Sequence, residues 1–471
     1  MPESSPSLIR AAIVGVSGYG RWHLLMAMEQ ALVGRLQLVG ATVINQAEEA
    51  VICARLRRQG VPVFGRYEDM LAALAGRVDL VLLPTGIQWH APMTIAALAV
   101  GAHVLVEKPI TATLQDVDRI IAAQAAAQRL VAVGFQDLYV PGAHDIKRRV
   151  VAGDIGRLQC VTVRAQWPRP ESYYARNTWA GRLQAEGAWV LDSPVSNAFA
   201  HFLLLALFWA GPEPAHAAAV VQLEAELYRA HAIESFDTVS LRARTADGIE
   251  ILFYGSHAGQ KDRPPEITLT GETGEIVWTY ERDYTVTRGG AATETRVVPT
   301  QLDTRLSVLE SLVARLRGEH AFIVGPELAR AHTRIMNALH EFFPIHDVEP
   351  REIEPVRENE GVFRRIRHFD ATLDEAIRRR ALFSETNAPW ATPGTAKSLA
   401  AYEAFGGTAN GDTAPDHGPR AGQSETPVAP VARKPAVTNR LHRHRDRTAG
   451  NGAARSWRKW DVTRKGVGRA G

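Results

Sequence analysis

The sequence predicts an α/β protein of two domains, followed by a disordered C-terminal tail. The first is a doubly wound domain with a parallel sheet, and the second is an α+β domain with a large, mostly antiparallel open sheet. Three observations support this. Up to residue 135, apolar segments alternate with alanine-rich helical stretches. Between residues 136 and 394 the segments are longer and alternate apolar with polar residues. From residue 395, apolar periodicity is lost.

The first domain, residues 1–135, opens with an apolar strand at residues 9–15 and a helix at residues 20–32. The later strand candidates are apolar throughout, which indicates a sheet buried on both faces. They are residues 36–44, 61–64, 78–83, 103–106 and 131–135, with helices at 91–100 and 114–128 between them.

The second domain, residues 136–394, begins with a linking helix at residues 143–152 and contains a long helical stretch at residues 326–343. Short turns containing glycine join several of its strands, which favours antiparallel pairing. The strand candidates are residues 158–166, 217–227, 238–244, 250–256, 266–270 and 275–280.

The tail, residues 395–471, carries most of the positive charge. Residues 431–471 contain 12 Lys and Arg against 2 Asp and Glu, a net charge of +10, which leaves −7 for residues 1–430. The body is therefore mildly acidic, and we expect no nucleic-acid partner for it. The tail is predicted to be a solvated extension, the alternative being a basic arm that binds anionic partners.

Composition narrows the class of protein further. The chain has 471 residues, 46% hydrophobic and 22% charged, which is ample for two globular domains. Its two cysteines, Cys53 and Cys160, are far apart, so we expect neither disulfides nor a metal site. The chain has no signal-peptide pattern and no apolar run near the roughly 20 residues that span a bilayer. A cytoplasmic protein without membrane contact is expected.

A glycine-rich loop, GVSGYG at residues 15–20, joins the first strand to the first helix. This is the position at which a Rossmann domain holds the pyrophosphate of a dinucleotide, because small residues admit the phosphates to the helix N-terminus. Ser17 replaces the middle glycine of the usual pattern and is small enough to be tolerated. The loop residues predicted to bind the cofactor are Gly15, Ser17, Gly18, Tyr19 and Gly20.

A second motif, the triplet Glu107-Lys108-Pro109, follows the apolar strand at residues 103–106. With the surrounding segment at residues 78–110, it resembles the Gfo/Idh/MocA family, which includes glucose-fructose oxidoreductase and inositol dehydrogenase. The similarity continues through VGF at residues 133–135 and GDIGRL at residues 153–158 to about residue 345. The resemblance implies an NAD(P)-dependent oxidoreductase, with Lys108 at the reacting centre and a Lys108-Pro109 bond that can be cis.

The resemblance also implies a histidine on a later apolar helix, preceded four residues earlier by an aspartate. Counting back from Gly211 along residues 191–211 gives His201, with Asn197 where the family usually has Asp. Residues 191–211 are expected to form this helix, and positions i and i+4 share a helix face, so Asn197 and His201 can reach one site. A neutral Asn cannot raise the basicity of His201 as Asp would. The alternative alignment places Asp192 in the family's Asp position, with Ser196 instead of histidine.

The other cofactor-binding candidates are assigned by their positions after the strands of the first domain. Asn45 follows the second strand, where NAD enzymes commonly have an acid that binds the ribose hydroxyls. Asn45 does not repel a 2′-phosphate, so the choice between NAD and NADP stays open. The resemblance also places a loop after the fourth strand beside the dinucleotide, and His90 alternatively caps the next helix. These candidates are Asn45, Thr85, Gly86, His90, Glu107 and Lys108.

A segment rich in aromatic and basic residues, residues 167–182, supplies candidates for substrate binding. Its side chains offer donors for oxygen atoms and an indole face for a sugar ring. The alternative is a loop packed against the sheet edge. With Asp192, which can face the same cleft, the candidates are Arg176, Asn177, Trp179 and Asp192.

These patterns lead to one main functional hypothesis, a dehydrogenase for a secondary hydroxyl of a sugar, cyclitol or related polyol, with Lys108, His201 and Asn197 at the reacting centre. One alternative is an NAD-dependent glycoside hydrolase that oxidises its substrate transiently. Another is a cofactor-binding sensor without turnover, because the family Asp is missing. The resemblance also implies a homodimer or homotetramer built on the second domain's sheet.

Overall fold

A computed structural model describes residues 8–407, without the side chains of residues 292 and 293. Its N-terminal half is a parallel six-stranded sheet in the order β3-β2-β1-β4-β5-β6. This confirms the predicted doubly wound Rossmann arrangement. The strands are β1 (Ile9–Val14), β2 (Leu36–Thr42), β3 (Val63–Phe64), β4 (Leu80–Leu83), β5 (His103–Val106) and β6 (Val131–Val133).

Helices connect these strands and cover the sheet, whose central strands are fully buried. Two of the helices were not predicted, α2 and α3, because they are short. The six helices are α1 (Gly20–Leu32), α2 (Ala50–Arg58), α3 (Tyr67–Leu74), α4 (Ile87–Ala99), α5 (Leu114–Ala127) and α6 (Pro141–Val151). The chain turns at the carboxyl end of every strand on one edge of the sheet, the edge where α/β proteins bind ligands.

The C-terminal half contains a mixed sheet in the order β16-β15-β14-β13-β7-β12-β11-β10-β17. Only the β7–β12 and β10–β17 pairs are parallel, so the mostly antiparallel prediction is confirmed. The strands of this sheet are β7 (Leu158–Gln166), β10 (Val220–Arg229), β11 (Thr238–Thr245), β12 (Glu250–Ser256), β13 (Arg263–Gly271), β14 (Gly274–Thr279), β15 (Asp283–Arg288), β16 (Ala291–Val297) and β17 (Ile345–Asp347). Between β7 and β10, β8 (Gln184–Ala185) and β9 (Ala188–Trp189) pair only with each other.

The remaining elements lie around both sheets. Two long helices contact α1 and α5 of the parallel-sheet half, β18 and β19 form a hairpin, and a short strand pairs with β10. They are α7 (Glu171–Tyr174), α8 (Ala200–Ala210), α9 (Gln301–Leu316), α10 (Pro326–Phe342), β18 (Ile353–Glu358), β19 (Gly361–Ile366), α11 (Phe369–Arg379) and β20 (Lys397–Ser398).

Helix α8 lies on one face of the large sheet, and residues 353–394 cover the other face over its central strands. Leu252 and Tyr254 on β12 pack there against Phe369, Phe383 and Trp390, and the Tyr254 hydroxyl donates to the Ala381 carbonyl at 2.8 Å. The chain therefore occupies much of the surface on which the resemblance placed homodimer or homotetramer assembly. The oligomeric state stays a prediction.

Helix α8 begins at Ala200, so the expected helix over residues 191–211 is wrong in its first nine residues. Pro194 disfavours helical backbone at Ser193. The Ser196 hydroxyl closes a local turn, accepting from the Ser193 amide at 2.8 Å, and such bonds compete with helix formation. Asn197 consequently lies in a turn, and the predicted shared helix face with His201 does not exist.

The predicted start of the disordered tail, at residue 395, is also wrong. Lys397 and Ser398 pair with β10, and three apolar side chains beyond them are buried: Leu399, Tyr402 and Phe405. Their spacing is too irregular to show as a helical or strand period, which is why the sequence alone did not reveal them. The rest of the predicted tail lies outside the described residues.

We expect Leu399→Ala to lower the free energy of unfolding by about 2–4 kcal/mol, because it opens a cavity under a fully buried side chain. Urea unfolding monitored by circular dichroism measures this. The control Lys397→Ala changes an exposed neighbour on β20 and should stay within about 0.5 kcal/mol. Equal stability of Leu399→Ala and the unaltered protein would contradict the packing of this segment.

Candidate active site

The glycine loop lies at the carboxyl end of β1 and has the geometry of an anion-binding turn. Gly15 and Gly18 have φ of 85° and 52°, in the left-handed region that favours glycine. A Cβ at Gly20 would lie 2.5 Å from the Gly15 carbonyl oxygen. Within residues 8–407, the backbone amides of Ser17, Gly18 and Tyr19 have no hydrogen-bond acceptor. These amides can therefore bind a phosphate.

Lys108 follows β5 on the same edge, and its peptide bond to Pro109 is cis. The mostly buried ammonium donates to two oxygens of Asn197, the backbone carbonyl and Oδ1, both at 2.9 Å. Burial lowers the pKa of Lys108, while the charges of Glu107 and Asp192 oppose that change. An ammonium has three protons to donate, so one stays available after both contacts with Asn197.

Asn197 connects Lys108 to a buried carboxylate. Its Nδ2 donates to Asp192 Oδ1 at 3.0 Å, and the Gly181 amide donates to Asp192 Oδ2 at 2.6 Å. Burial raises the pKa of Asp192, partly offset by the Gly181 hydrogen bond. Asn197 from one alignment of this segment and Asp192 from the other thus both belong to the group of residues around Lys108. Ser196, by contrast, is buried and its hydroxyl bonds within the turn.

His201 lies on α8 beside a carboxylate that the sequence analysis did not identify. Its Nδ1 is 3.4 Å from Oδ2 of Asp137, which lies in the short turn Gln136–Leu138 after β6. Both atoms are buried, and neither makes a hydrogen bond in the described part of the chain. Burial lowers the pKa of His201 well below its ordinary value, helped by the Lys108 charge. Burial also raises the pKa of Asp137 to about 7.

Two predicted cofactor ligands have mainly structural contacts. Glu107 Oε1 lies 2.8 Å from His23 Nε2. Burial favours protonation of Glu107, but the His23 hydrogen bond and charge outweigh it, and its pKa is lowered. The His90 ring nitrogens lie 2.8 Å from the Pro109 carbonyl and 3.1 Å from the Thr85 carbonyl. His90 therefore ties the loop after β4 to the Glu-Lys-Pro turn.

Thr85 and Gly86 stay at the ligand edge of the sheet, as expected from their place after β4. The Thr85 hydroxyl is buried without a partner in the described part of the chain, and Gly86 caps α4. Asn45, after β2, donates to Glu48 Oε2 at 3.1 Å and lies 3.5 Å from the Ser17 hydroxyl. The Glu48 carboxylate thus lies beside the Asn45 amide, the one group that the sequence analysis assigned to this position.

Comparison with protein families gives matches over both sheets. A model described as an oxidoreductase family with an NAD-binding Rossmann fold matches residues 9–135. A model of the GFO/IDH/MocA C-terminal domain matches residues 144–277. The chain belongs to the Gfo/Idh/MocA family. Neither match includes α9 or any later element.

Curated relatives of this Gfo/Idh/MocA protein include inositol 2-dehydrogenase 3 of Saccharopolyspora erythraea, 28% identical over 40% of this chain and 56% of that protein. Another is the scyllo-inositol 2-dehydrogenase (NAD(+)) of Bacillus subtilis, 28% identical over 32% of this chain and 42% of that protein. The matches therefore span about half the length of these relatives.

Solved structures share the fold at low identity. The WlbA dehydrogenase from Bordetella pertussis, in complex with NADH and UDP-GlcNAcA, is 22% identical with a TM-score of 0.58, covering 70% of this chain and 95% of that one. A levoglucosan dehydrogenase in complex with NADH and levoglucosan is 16% identical with a TM-score of 0.60, covering 70% and 96%.

The segment predicted to bind substrate places Arg176 near the Lys108 cluster. Its guanidinium carbon lies 3.7 Å from the Tyr173 ring centroid and 5.3 Å from that of Trp179. The Arg176 charge opposes the rise in the pKa of Asp192. Asn177 instead shapes the turn, because its Oδ1 accepts from the Trp179 and Ala180 amides at 3.1 and 2.8 Å.

Sequence reasoning left Tyr173 and Tyr174 unassigned. Tyr174 OH lies 3.0 Å from His257 Nδ1, and burial raises its pKa well above the ordinary value. Tyr173 packs edge-on against Tyr174. The aromatic residues of this segment were visible in the sequence, but their contacts depend on His257, which follows the distant strand β12.

No cluster of metal ligands occurs among residues 8–407, and no helix in that range is long and apolar enough to cross a membrane.

The buried carboxyl group of Asp137 gives a pH-dependent stability. Its folded-state pKa of about 7 exceeds the unfolded value of about 3.9. Between these values the folded protein binds a proton that the unfolded chain releases, so stability falls as pH rises. In Asp137→Asn the side chain cannot ionise, so this loss of stability with rising pH does not occur. We expect its stability relative to the unaltered protein to increase by about 2–3 kcal/mol from pH 5 to pH 8.

Urea unfolding at both pH values measures this difference. Asp69→Asn, which removes an exposed carboxylate from α3, is the control for losing one acidic group. A pH-independent difference between Asp137→Asn and the unaltered protein would show that Asp137 is ionised throughout.

Proposed function

We propose that this protein is an NAD(P)-dependent dehydrogenase that oxidises a secondary hydroxyl of a sugar, cyclitol or related polyol. The observation that carries the proposal is the position of the Lys108 ammonium, which two Asn197 oxygens orient at the ligand edge of an NAD-binding Rossmann domain. The relatives named for inositols and the structural neighbours with levoglucosan or UDP-GlcNAcA support a cyclic polyol substrate.

The glycine loop fits the cofactor, because its unpaired amides and small residues suit a pyrophosphate. Asn45 and Glu48 would bind the adenosine ribose, and Thr85 and Gly86 line the approach to Lys108. When bound, the nicotinamide ring accepts the hydride.

Lys108 stabilises negative charge on the reacting oxygen. Two of its protons are held by Asn197, and the third would be available for a ligand oxygen. A fixed ammonium in a site with little water stabilises a developing alkoxide more than a mobile one does, because no reorganisation is required. Asp192 acts through Asn197, whose amide it holds in place.

His201 takes the hydroxyl proton in this proposal. Its Nδ1 is buried beside Asp137, whereas 12% of its side chain stays exposed, so Nε2 is the nitrogen that meets substrate. Asp137 replaces the carboxylate that the resemblance placed four residues before the histidine, where this chain has Asn197. An ionised Asp137 beside Nδ1 would orient the ring and partly offset the burial that lowers the pKa of His201.

Turnover provides the first test. A panel of cyclitols and sugars is incubated with NAD and NADP, and absorbance is followed at about 340 nm, where the reduced nicotinamide absorbs. With the substrate found, we expect Lys108→Met and His201→Ala each to lower kcat about 10²- to 10⁴-fold. Cofactor binding should remain.

Lys397→Met and His216→Ala are the controls, since both residues are exposed. Full turnover by His201→Ala would remove the histidine from the mechanism. Cofactor binding without absorbance change across the panel would favour the sensor, or a hydrolase if a glycoside is cleaved.

The carboxylate beside Asn45 leads to a prediction about cofactor choice. Glu48 accepts from Asn45 at 3.1 Å and would repel the 2′-phosphate of NADP. We expect NADH to bind at least about 10-fold more tightly than NADPH, and Glu48→Gln to narrow that ratio by about 3- to 10-fold. Fluorescence titration with both reduced cofactors measures it, with Glu68→Gln on α3 as the control. Tighter NADPH binding by the unaltered protein would contradict the assignment.

A further inference from the structure

Arg305 is a cation that the proposed function leaves unused. It lies on α9, which packs against α1. Its guanidinium carbon is 4.2 Å from the Trp22 ring centroid and 5.5 Å from that of Tyr19. Tyr19 belongs to the glycine loop and Trp22 to the first turn of α1, so Arg305 lies beside the loop.

No carboxylate of residues 8–407 lies within ion-pair distance of this guanidinium, although its charge opposes the rise in the pKa of Asp137. Its Nε is buried without a hydrogen-bond partner. The residue is half-buried, and a guanidinium withdrawn from water normally has a counter-ion, because leaving water is costly. The nearest acid on its own helix, Asp303, instead closes the capping box with Thr300.

The surroundings of Arg305 favour an anionic ligand. The first turn of α1 contains no acidic residue, and the amides of Ser17, Gly18 and Tyr19 are unpaired in the described chain. The guanidinium lies beside the rings of Tyr19 and Trp22, which border these amides in the chain. Arg and backbone amides are together typical donors for phosphate oxygens.

We propose that Arg305 binds the pyrophosphate of the dinucleotide and completes, from the C-terminal half of the chain, the anion site that the glycine loop begins. This rests on the proposed cofactor but not on any substrate. The Arg305 charge also acts on Lys108 and His201, but its ring contacts are with Tyr19 of the glycine loop and with Trp22, which is why we assign it to the phosphates. Both family matches end before α9, so the assignment depends on this chain's own contacts.

Binding is measured by isothermal titration of NADH, ADP and AMP to the full chain and its variants. We expect Arg305→Gln to weaken NADH and ADP about 10-fold or more, because a charged hydrogen bond is lost. AMP, which lacks the pyrophosphate, should weaken by less than about threefold. Arg305→Lys keeps the charge and should give intermediate affinities. Arg315→Gln, farther along the same helix, is the control.

Unchanged NADH and ADP affinities in Arg305→Gln would overturn the proposal. An equal loss for AMP would also overturn it, because the effect would not then depend on the pyrophosphate. If affinities for the cofactor are kept and only the KM of an acidic substrate rises, Arg305 belongs to the substrate site. Circular dichroism confirms that both Arg305 variants fold. A failure of the unaltered protein to bind NADH would instead contradict the proposed function.

Discussion

The site depends on how the Lys108 ammonium is held among buried groups. Water is largely excluded, so the charge must be offset by oriented oxygens and nearby carboxylates. Asn197 supplies two oxygens, Asp192 holds the Asn197 amide, and Glu107 adds negative charge from the neighbouring position. The turn at residues 193–199 places both Asn197 oxygens next to the ammonium.

The same constraint explains why the two halves of the molecule are closely joined. Lys108 is presented by the parallel sheet, whereas Asn197 and Asp192 come from the segment that precedes α8. Neither half alone satisfies the polar groups at this edge. The large sheet serves as a platform for α8, and its other face is covered by residues 353–394. The position of the lysine partners is therefore fixed by packing on a rigid layer.

Local patterns in the sequence predicted the parallel sheet, the glycine loop and Lys108, because each depends on neighbouring residues. The expected helix from residue 191 was wrong, since the strong apolar run of α8 masked the effect of Pro194 and the two serines. Asp137 and Arg305 were missed for another reason. Each is distant in the chain from its contacts, His201 in one case and Tyr19 in the other, and no spacing rule relates them. Leu399 and Tyr402 were missed because a single turn of packed chain has no periodicity.

The pairing of His201 with Asp137 changes the significance of Asn197. An aspartate four residues before the histidine would place a second carboxylate beside Lys108, where Asp192 already lies behind Asn197. Two carboxylates so near to each other in a buried site would not both be ionised. The amide avoids that conflict and still orients the lysine. The acid beside His201 comes instead from the turn that follows β6. The substitution that weakened the resemblance is thus consistent with an intact acid-base pair, provided that β6 and α8 stay packed together.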